Sequence, residues 1–255
     1  MERAVGELLR DWRQRRRISQ LDLALDAGVS ARHLSFLETG RSQPSREMLV
    51  LLAEQLDVPL RERNTLLLAA GYAPLYRERG LDDPDFAAIR SGVERVLKAH
   101  EPFPAVAVDR HWNLVAMNAG VAPMLAGVDA SLLAPPVNVL RLSLHPEGLA
   151  PSIANLGEWR EHLLARLARQ IAESGDPVLA SLRQELQAYP HDGAEAPEDA
   201  GLSLAVPLQL KTQNGVLSFI GTTMVFGAPR DVSLAELAIE AFLPADEATA
   251  AALRA

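Results

Sequence analysis

Residues 19–44 read SQLDLALDAGVSARHLSFLETGRSQP. This stretch decides the fold of the N-terminal part, because it spells two short helices hinged at Gly28. Ser19 stands before the first periodic apolar residue and Asp22 follows three places later. That is a capping-box pattern, in which the hydroxyl accepts an amide N–H left free by the first turn. Leu23, Ala24 and Ala27 form a compact apolar face. Gly28 ends the helix where the chain needs a positive φ, a conformation that penalises any residue with a Cβ. Val29 plugs the corner, Ser30 caps a second helix, and Leu34 and Leu37 share its buried face. Ala31, Arg32, His33, Ser35 and Phe36 then point away from the core, as base-reading residues of a recognition helix do.

Two helices around a glycine also occur in proteins that never meet DNA, so the flanking residues carry the distinction. Gln20 sits in the first turn of the first helix, where a long amide reaches a phosphate beside the helix N-terminus. Glu38 closes the second helix, and Gly40 and Arg41 follow it. Arg13, on the preceding helix, is within pairing reach of Glu38. The run resembles the phage-repressor-like (Cro/C1, or xenobiotic-response-element) helix-turn-helix proteins over roughly residues 5 to 70. The resemblance implies five helices, a buried Arg13–Glu38 pair, Gln20 on phosphate and base contacts from the start of the second helix. Ala31 and Phe36 are apolar where that family usually carries polar readers. The expected DNA-contacting set is Gln20, Ser30, Ala31, Arg32, His33, Ser35, Phe36 and Arg41.

A net charge of −8 is unusual for a DNA binder until it is divided along the chain. Residues 1–79 hold 13 arginines, no lysine and 11 carboxylates, a net of +2, which leaves −10 for the remainder. The basic surface is therefore local to the motif, and the acidic remainder should face away from phosphate. The run Arg15–Arg17 reads either as a contact to DNA backbone or as a solvated helix end favoured by the macrodipole.

Composition excludes other classes. The chain has 255 residues, 48% of them hydrophobic, enough to fill real cores. It contains no cysteine, which removes disulfides, thiolate metal sites and cysteine catalysis. There is no long apolar run and the N-terminus is charged, so the expectation is a soluble cytoplasmic protein without membrane contact.

Helices are expected at Val5–Arg17, at the two motif helices, from Pro44 through an apolar stripe ending at Leu56, and from Leu60 to Ala70. Leu66, Leu67 and Leu68 make the last of these unusually apolar, a surface for contacts between domains or subunits. The polar, Gly- and Pro-broken segment at residues 77–84 marks a linker. It separates a DNA-binding domain at residues 1–76 from a sensor domain at 85–255. Beyond it, a helix is expected from Asp85 to His100, then two strands at Pro104–Asp109 and Trp112–Asn118 joined at Arg110-His111. Helices follow at Glu158–Glu173 and Pro177–Tyr189, and a polar loop at His191–Gly201.

The pair Leu202–Thr212 and Val216–Phe226, joined by Asn214-Gly215, reads as a type I′ hairpin, because both central residues of that turn need positive φ. In this register Leu210 faces Phe219, Leu208 faces Gly221, Val206 faces Thr223 and Leu204 faces Val225. The face is aliphatic, with small residues at Gly221 and Thr223. Such a gap is either packed by a helix or left open for a ligand.

Four further segments resemble the MmyB-like subfamily of these regulators: RHLSFLETGRSQPSREM, LRERNTLLLAAGYAP, FPAVAVDRHWNLVAMN and FGAPRDVSLAELAIEAFLPADEATA. The resemblance covers nearly the whole chain. It implies an α+β protein in which a five-helix helix-turn-helix domain precedes a PAS-like domain, an antiparallel sheet wrapped by helices around an apolar pocket. It also implies a fatty-acid-like or similar amphiphilic ligand. The expected pocket residues are Val106, Val108, Leu114, Leu204, Val206, Leu208, Leu210, Phe219, Gly221, Thr223 and Val225. Asp109, Asn118 and Asn138 are read as turn-formers and caps.

Enzymatic chemistry has little support. The six histidines form no HExxH pair, and Glu158 with His162 reads as a solvated pair one helical turn apart. There is no phosphate-cradling glycine loop and no nucleophile elbow. Trp112 and Trp159 are aromatic core by default. The expectation is a ligand-responsive transcription factor, without cofactor or metal, acting as a homodimer on operator DNA. Its rivals are an antitoxin-like or scaffolding protein whose helix-turn-helix works through protein contacts, and an enzyme with an appended DNA-binding domain.

Overall fold

The computed structural model describes residues 3–190, 205–213 and 215–254. These form two compact units. The first holds residues up to Arg79 together with Ala172–Ser174 and Pro229–Ala235; the second holds the rest.

The first unit carries five helices: α1 Val5–Arg15, α2 Gln20–Asp26, α3 Ala31–Glu38, α4 Arg46–Gln55 and α5 Leu60–Ala69. Their starts are set by side chains. Ser19, Ser30 and Ser45 accept the backbone N–H groups of Asp22, His33 and Met48. Each thereby satisfies a donor that the first turn leaves unpaired. Gly28 turns the chain between α2 and α3 at φ 65°. Leu9, Trp12, Leu23, Leu34, Leu37, Leu49, Leu52 and Leu56 build one buried core. Leu66 and Leu67 join it at 1% exposure, and only Leu68 remains outside. The expected apolar surface of α5 is therefore mostly core, because two of its three leucines face α1 and α4. Gly6 is required where α1 crosses the end of α3: a Cβ there would collide with the carbonyl oxygens of Leu37 and Glu38.

The second unit is built on one five-stranded antiparallel sheet. Its strands are β1 Ala105–Val108, β2 Leu114–Met117, β3 Leu208–Thr212, β4 Gly215–Val225 and β5 Ala238–Pro244, in the order β2-β1-β5-β4-β3. Two hairpins are thus joined by a central strand that periodicity did not reveal. Its helices are α6 Ala87–Ala99, α7 Val139–Leu144, α8 Leu156–Ser174, α9 Pro177–Ala188 and α11 Glu247–Arg254; the short α10 Val232–Ala235 falls in the first unit. Side chains alternate across the sheet. One face sets Ala105, Ala107, Ile239 and Ala241 against Val93 and Leu97 of α6. The other sets Val106, Val108, Leu208 and Phe219 in a core with Leu140, Trp159, Leu163 and Leu167.

The β1–β2 connection is longer than the expected turn. Asp109 accepts the backbone N–H groups of His111 and Asn113, and Trp112 adopts φ 67°. Asn118 ties Ala105, Leu97 and Phe103 together, and Asn138 caps α7 while holding the His111 carbonyl. All three residues are therefore structural, as turn-formers and caps.

Candidate functional site

In the first unit, α3 turns one side to the core and the other to solvent. Leu34, Leu37 and Glu38 are buried, while Arg32 is exposed and His33, Ser35 and Phe36 are half-exposed. Ala31 packs partly on the core. Ser30 is committed as the α3 cap. The guanidiniums of Arg32 and Arg41 lie 5.3 and 5.8 Å from the Phe36 ring centre. Phe36 therefore holds two cations at the outer side of α3 through its ring face. An apolar residue where a polar reader was expected acts here as a platform.

Behind this face, Arg13 Nε and Nη2 donate to the two oxygens of Glu38 at 2.6 and 2.8 Å. Gln20 Nε2 donates to Glu38 Oε2 at 2.8 Å, so one of its two amide N–H groups is used inside the protein. Burial pushes the Glu38 carboxyl up, but the hydrogen bonds from Arg13 and Gln20, with the nearby cations Arg13 and Arg10, outweigh it and hold it below its ordinary value. Arg16 Nε and Nη2 donate to the carbonyls of Leu56 and Asp57 at 2.8 Å each. Within the run Arg15–Arg17, it therefore closes the C-terminal end of α4.

In the second unit, a cavity of about 320 Å³ lies between the sheet and the helical layer. Val106, Glu240, Gly221 and Phe242 form its floor. Met124 and Leu125, Leu140 and Leu142 of α7, and Trp159, His162, Leu163 and Arg166 of α8 form its walls. The nearest atom to a Cβ built on Gly221 is Phe242 Cε1 at 3.9 Å, so the space above this glycine is open. Among the described residues no helix packs flush on the gap.

The expected pocket residues divide. Val106, Leu114, Val206, Leu208 and Gly221 line this cavity. Val108 is core beneath it. Leu210 and Phe219 instead border a more open cleft of about 830 Å³, which shares Pro104, Met124 and Leu149 with the first. Thr223 bonds to Arg166 and Glu240, and Val225 is 67% exposed. Leu204 and the loop at 191–201 fall outside the described residues.

The hairpin register is a correction. Leu208 faces Phe219 and Leu210 faces Leu217, because Thr212 pairs with Gly215. Gln213 and Asn214 thus separate the last pair, and Gly215, at φ 126°, begins β4. The Thr212 hydroxyl donates to the Gly215 carbonyl at 2.8 Å; the two-residue turn lies one position earlier than Asn214-Gly215 as central pair would place it, so the partner of each residue moves by two. The shift is even, so the inward face is preserved. Val206 precedes β3 rather than pairing with Thr223.

One end of the cavity is polar. Arg166 donates to both Glu240 oxygens at 2.8 and 2.6 Å and to Thr223 Oγ1 at 2.8 Å. Its guanidinium lies 4.5 Å from the Trp112 ring centre. His162 stacks on Trp159 at 5.4 Å, while Glu158 accepts from Asn155 and acts on His162 through its charge. Burial, reinforced by Arg166 and Arg169, pushes His162 below its ordinary value. Sequence reasoning missed Arg166, Glu240, Met124, Leu140 and Phe242. The spacing of Trp159, His162, Leu163 and Arg166 on one face of α8 was the available signal. Among the described residues no cluster of three or more His, Cys, Asp or Glu could hold a metal ion. No described helix is long and apolar enough to cross a membrane.

Comparison with known families follows this division. The family described as MmyB-like transcription regulator ligand binding domain matches residues 89–255, and a helix-turn-helix family matches residues 9–63. No curated protein matches the chain.

Proposed function

The chain belongs to the MmyB-like transcription regulators and joins their ligand-binding domain to a helix-turn-helix; from that premise we propose that it binds specific operator DNA under the control of a small apolar or amphiphilic ligand with a fatty-acid-like chain. Residues 1–76 are the DNA-binding part and residues 85–255 the sensor. The observation that carries the ligand reading is the open, apolar space above Gly221. At about 320 Å³ it falls at the low end of small-molecule pockets, roughly 300–1,000 Å³. Each CH₂ buried there contributes about 0.8 kcal/mol, so a chain of about a dozen carbons gains roughly 10 kcal/mol before association and ordering costs, enough for measurable binding after them.

For DNA, Arg32, His33, Ser35 and Phe36 on α3 are the proposed reading face, with Gln20 and Arg41 on the backbone. One module of this size buries too little surface for tight specific binding, so we expect a homodimer on a palindromic site. The second reading, a helix-turn-helix that works through protein contacts, draws on Leu21 and Leu25, which are 59% and 70% exposed on α2. Two measurements on the purified 255-residue chain test the proposal: mass spectrometry of its solvent extract, and DNA selection from random sequence. A retained chain-like molecule and an enriched palindrome, bound with a steep salt dependence, support it. An empty extract with no enriched sequence would refute it.

A further inference from the structure

The polar end of the cavity is already neutralised by the protein itself. Arg166 and Glu240 are the charged residues among those described that line the cavity. They meet at two points, and their side chains are 22% and 8% exposed. Three of the five guanidinium N–H donors are committed to Glu240 and Thr223. The Thr223 hydroxyl in turn donates to Glu240 Oε2 at 3.2 Å. Glu240 sits in the central strand, with Val106 and Thr223 as its cross-strand partners, so it has no neighbouring strand position into which to withdraw.

Resting on the reading of this cavity as the ligand site, we propose that its ligand carries an uncharged polar head, and that Glu240 excludes the free carboxylic acid. A carboxylate brought to this end would place a second anion beside Glu240 with one guanidinium between them. Two carboxylates that face one cation disfavour each other, since the guanidinium can neutralise only one of them. His162 offers no compensating cation, since burial and the neighbouring arginines favour its neutral form. A hydroxyl, amide or ester head brings no such penalty. It can accept from a remaining Arg166 N–H, or exchange a hydrogen bond with His162 or with Ser143, whose hydroxyl accepts from Trp159 Nε1 at 2.9 Å. Glu240 is thus a specificity residue that acts by repulsion.

The test compares decanol, decanamide and decanoate on the intact chain by calorimetry near neutral pH, with lipid removed beforehand. The wild type is expected to bind the two neutral probes at least about tenfold more tightly than decanoate. Glu240→Gln keeps the shape of the side chain but frees the Arg166 charge, and is expected to reverse that order. Equal or tighter binding of decanoate by the wild type would overturn the proposal without any variant, and would leave the cavity as the ligand site. Binding of none of the three probes, with operator binding intact, would overturn the ligand reading and this inference with it.

Discussion

Arg13 and Glu38, twenty-five residues apart, form a two-point ion pair at 2.6 and 2.8 Å that locks α1 to the end of α3. Their side chains are 11% and 2% exposed. Arg13 Nη1 also donates to the Ile18 carbonyl at 2.9 Å, so the same side chain closes the approach to α2. Removing either partner strands a buried charge. Arg13→Ala and Glu38→Ala are each expected to lower stability by about 3–5 kcal/mol, and the paired change to Met and Leu by far less. Urea unfolding checks this. Single variants that each lose under about 1 kcal/mol would mean that the pair behaves as a surface bridge.

The same pair makes the first unit acid-sensitive. Glu38 is held below its ordinary value of 4.5. A group whose pKa is depressed by folding contributes stability above its unfolded value and loses it as the pH falls through the folded one. The wild type should therefore lose its advantage over the Arg13→Met, Glu38→Leu double variant as the pH drops below 4.5. A gap between their urea midpoints that stays constant down to acid pH would contradict this.

On DNA, Arg32→Ala is expected to weaken operator binding by about 1–3 kcal/mol and to relax preference at one position. Gln20→Ala should weaken all sequences alike. Phe36→Leu removes the ring that holds Arg32 and Arg41; at about 0.5–1 kcal/mol per exposed contact, it should cost less than Arg32→Ala and should not change the preferred base. Quantitative selection with the three variants separates these effects. Unchanged affinity and preference in Arg32→Ala would remove α3 from the reading role.

Much of the first unit was legible because its signals are local. Ser19, Ser30, Ser45 and Gly28 act within one turn of their own position, and the structure uses each of them as a cap or a turn. The close approach of Gly6 to α3 was not legible, since it depends on a crossing between distant segments. In the second unit the two hairpins were visible from alternation, but β5 was not. Its central Glu240 sits inside the sheet, and a charged residue amid AIEAFLP suggests an exposed helical face until its partner Arg166 is known. The register of β3 and β4 was misread for a related reason. Asn-Gly favours one turn, yet Thr212 and Gly215 close a different one.

Gly221 tests whether the cavity is empty space or latent core. Its φ lies outside the left-handed region and, among the described residues, a Cβ meets only Phe242 at 3.9 Å, so a larger side chain has room without backbone strain. Gly221→Leu is expected to fold with a thermal midpoint close to that of the wild type and to lose binding of ten-carbon probes. A variant that unfolds would show that the strand tolerates nothing above this position.

The central claim is that occupancy of the cavity changes DNA binding. It is tested most directly by titrating the selected operator, by fluorescence anisotropy, with the wild type in the absence and presence of saturating decanol or decanoate, and by repeating the titration with Gly221→Leu. The account predicts that at least one probe shifts the wild-type Kd by about fivefold or more, in the range typical of coupled sites, and that the shift vanishes in the variant. A wild-type Kd identical with and without either probe, at concentrations where calorimetry shows the cavity filled, would contradict it.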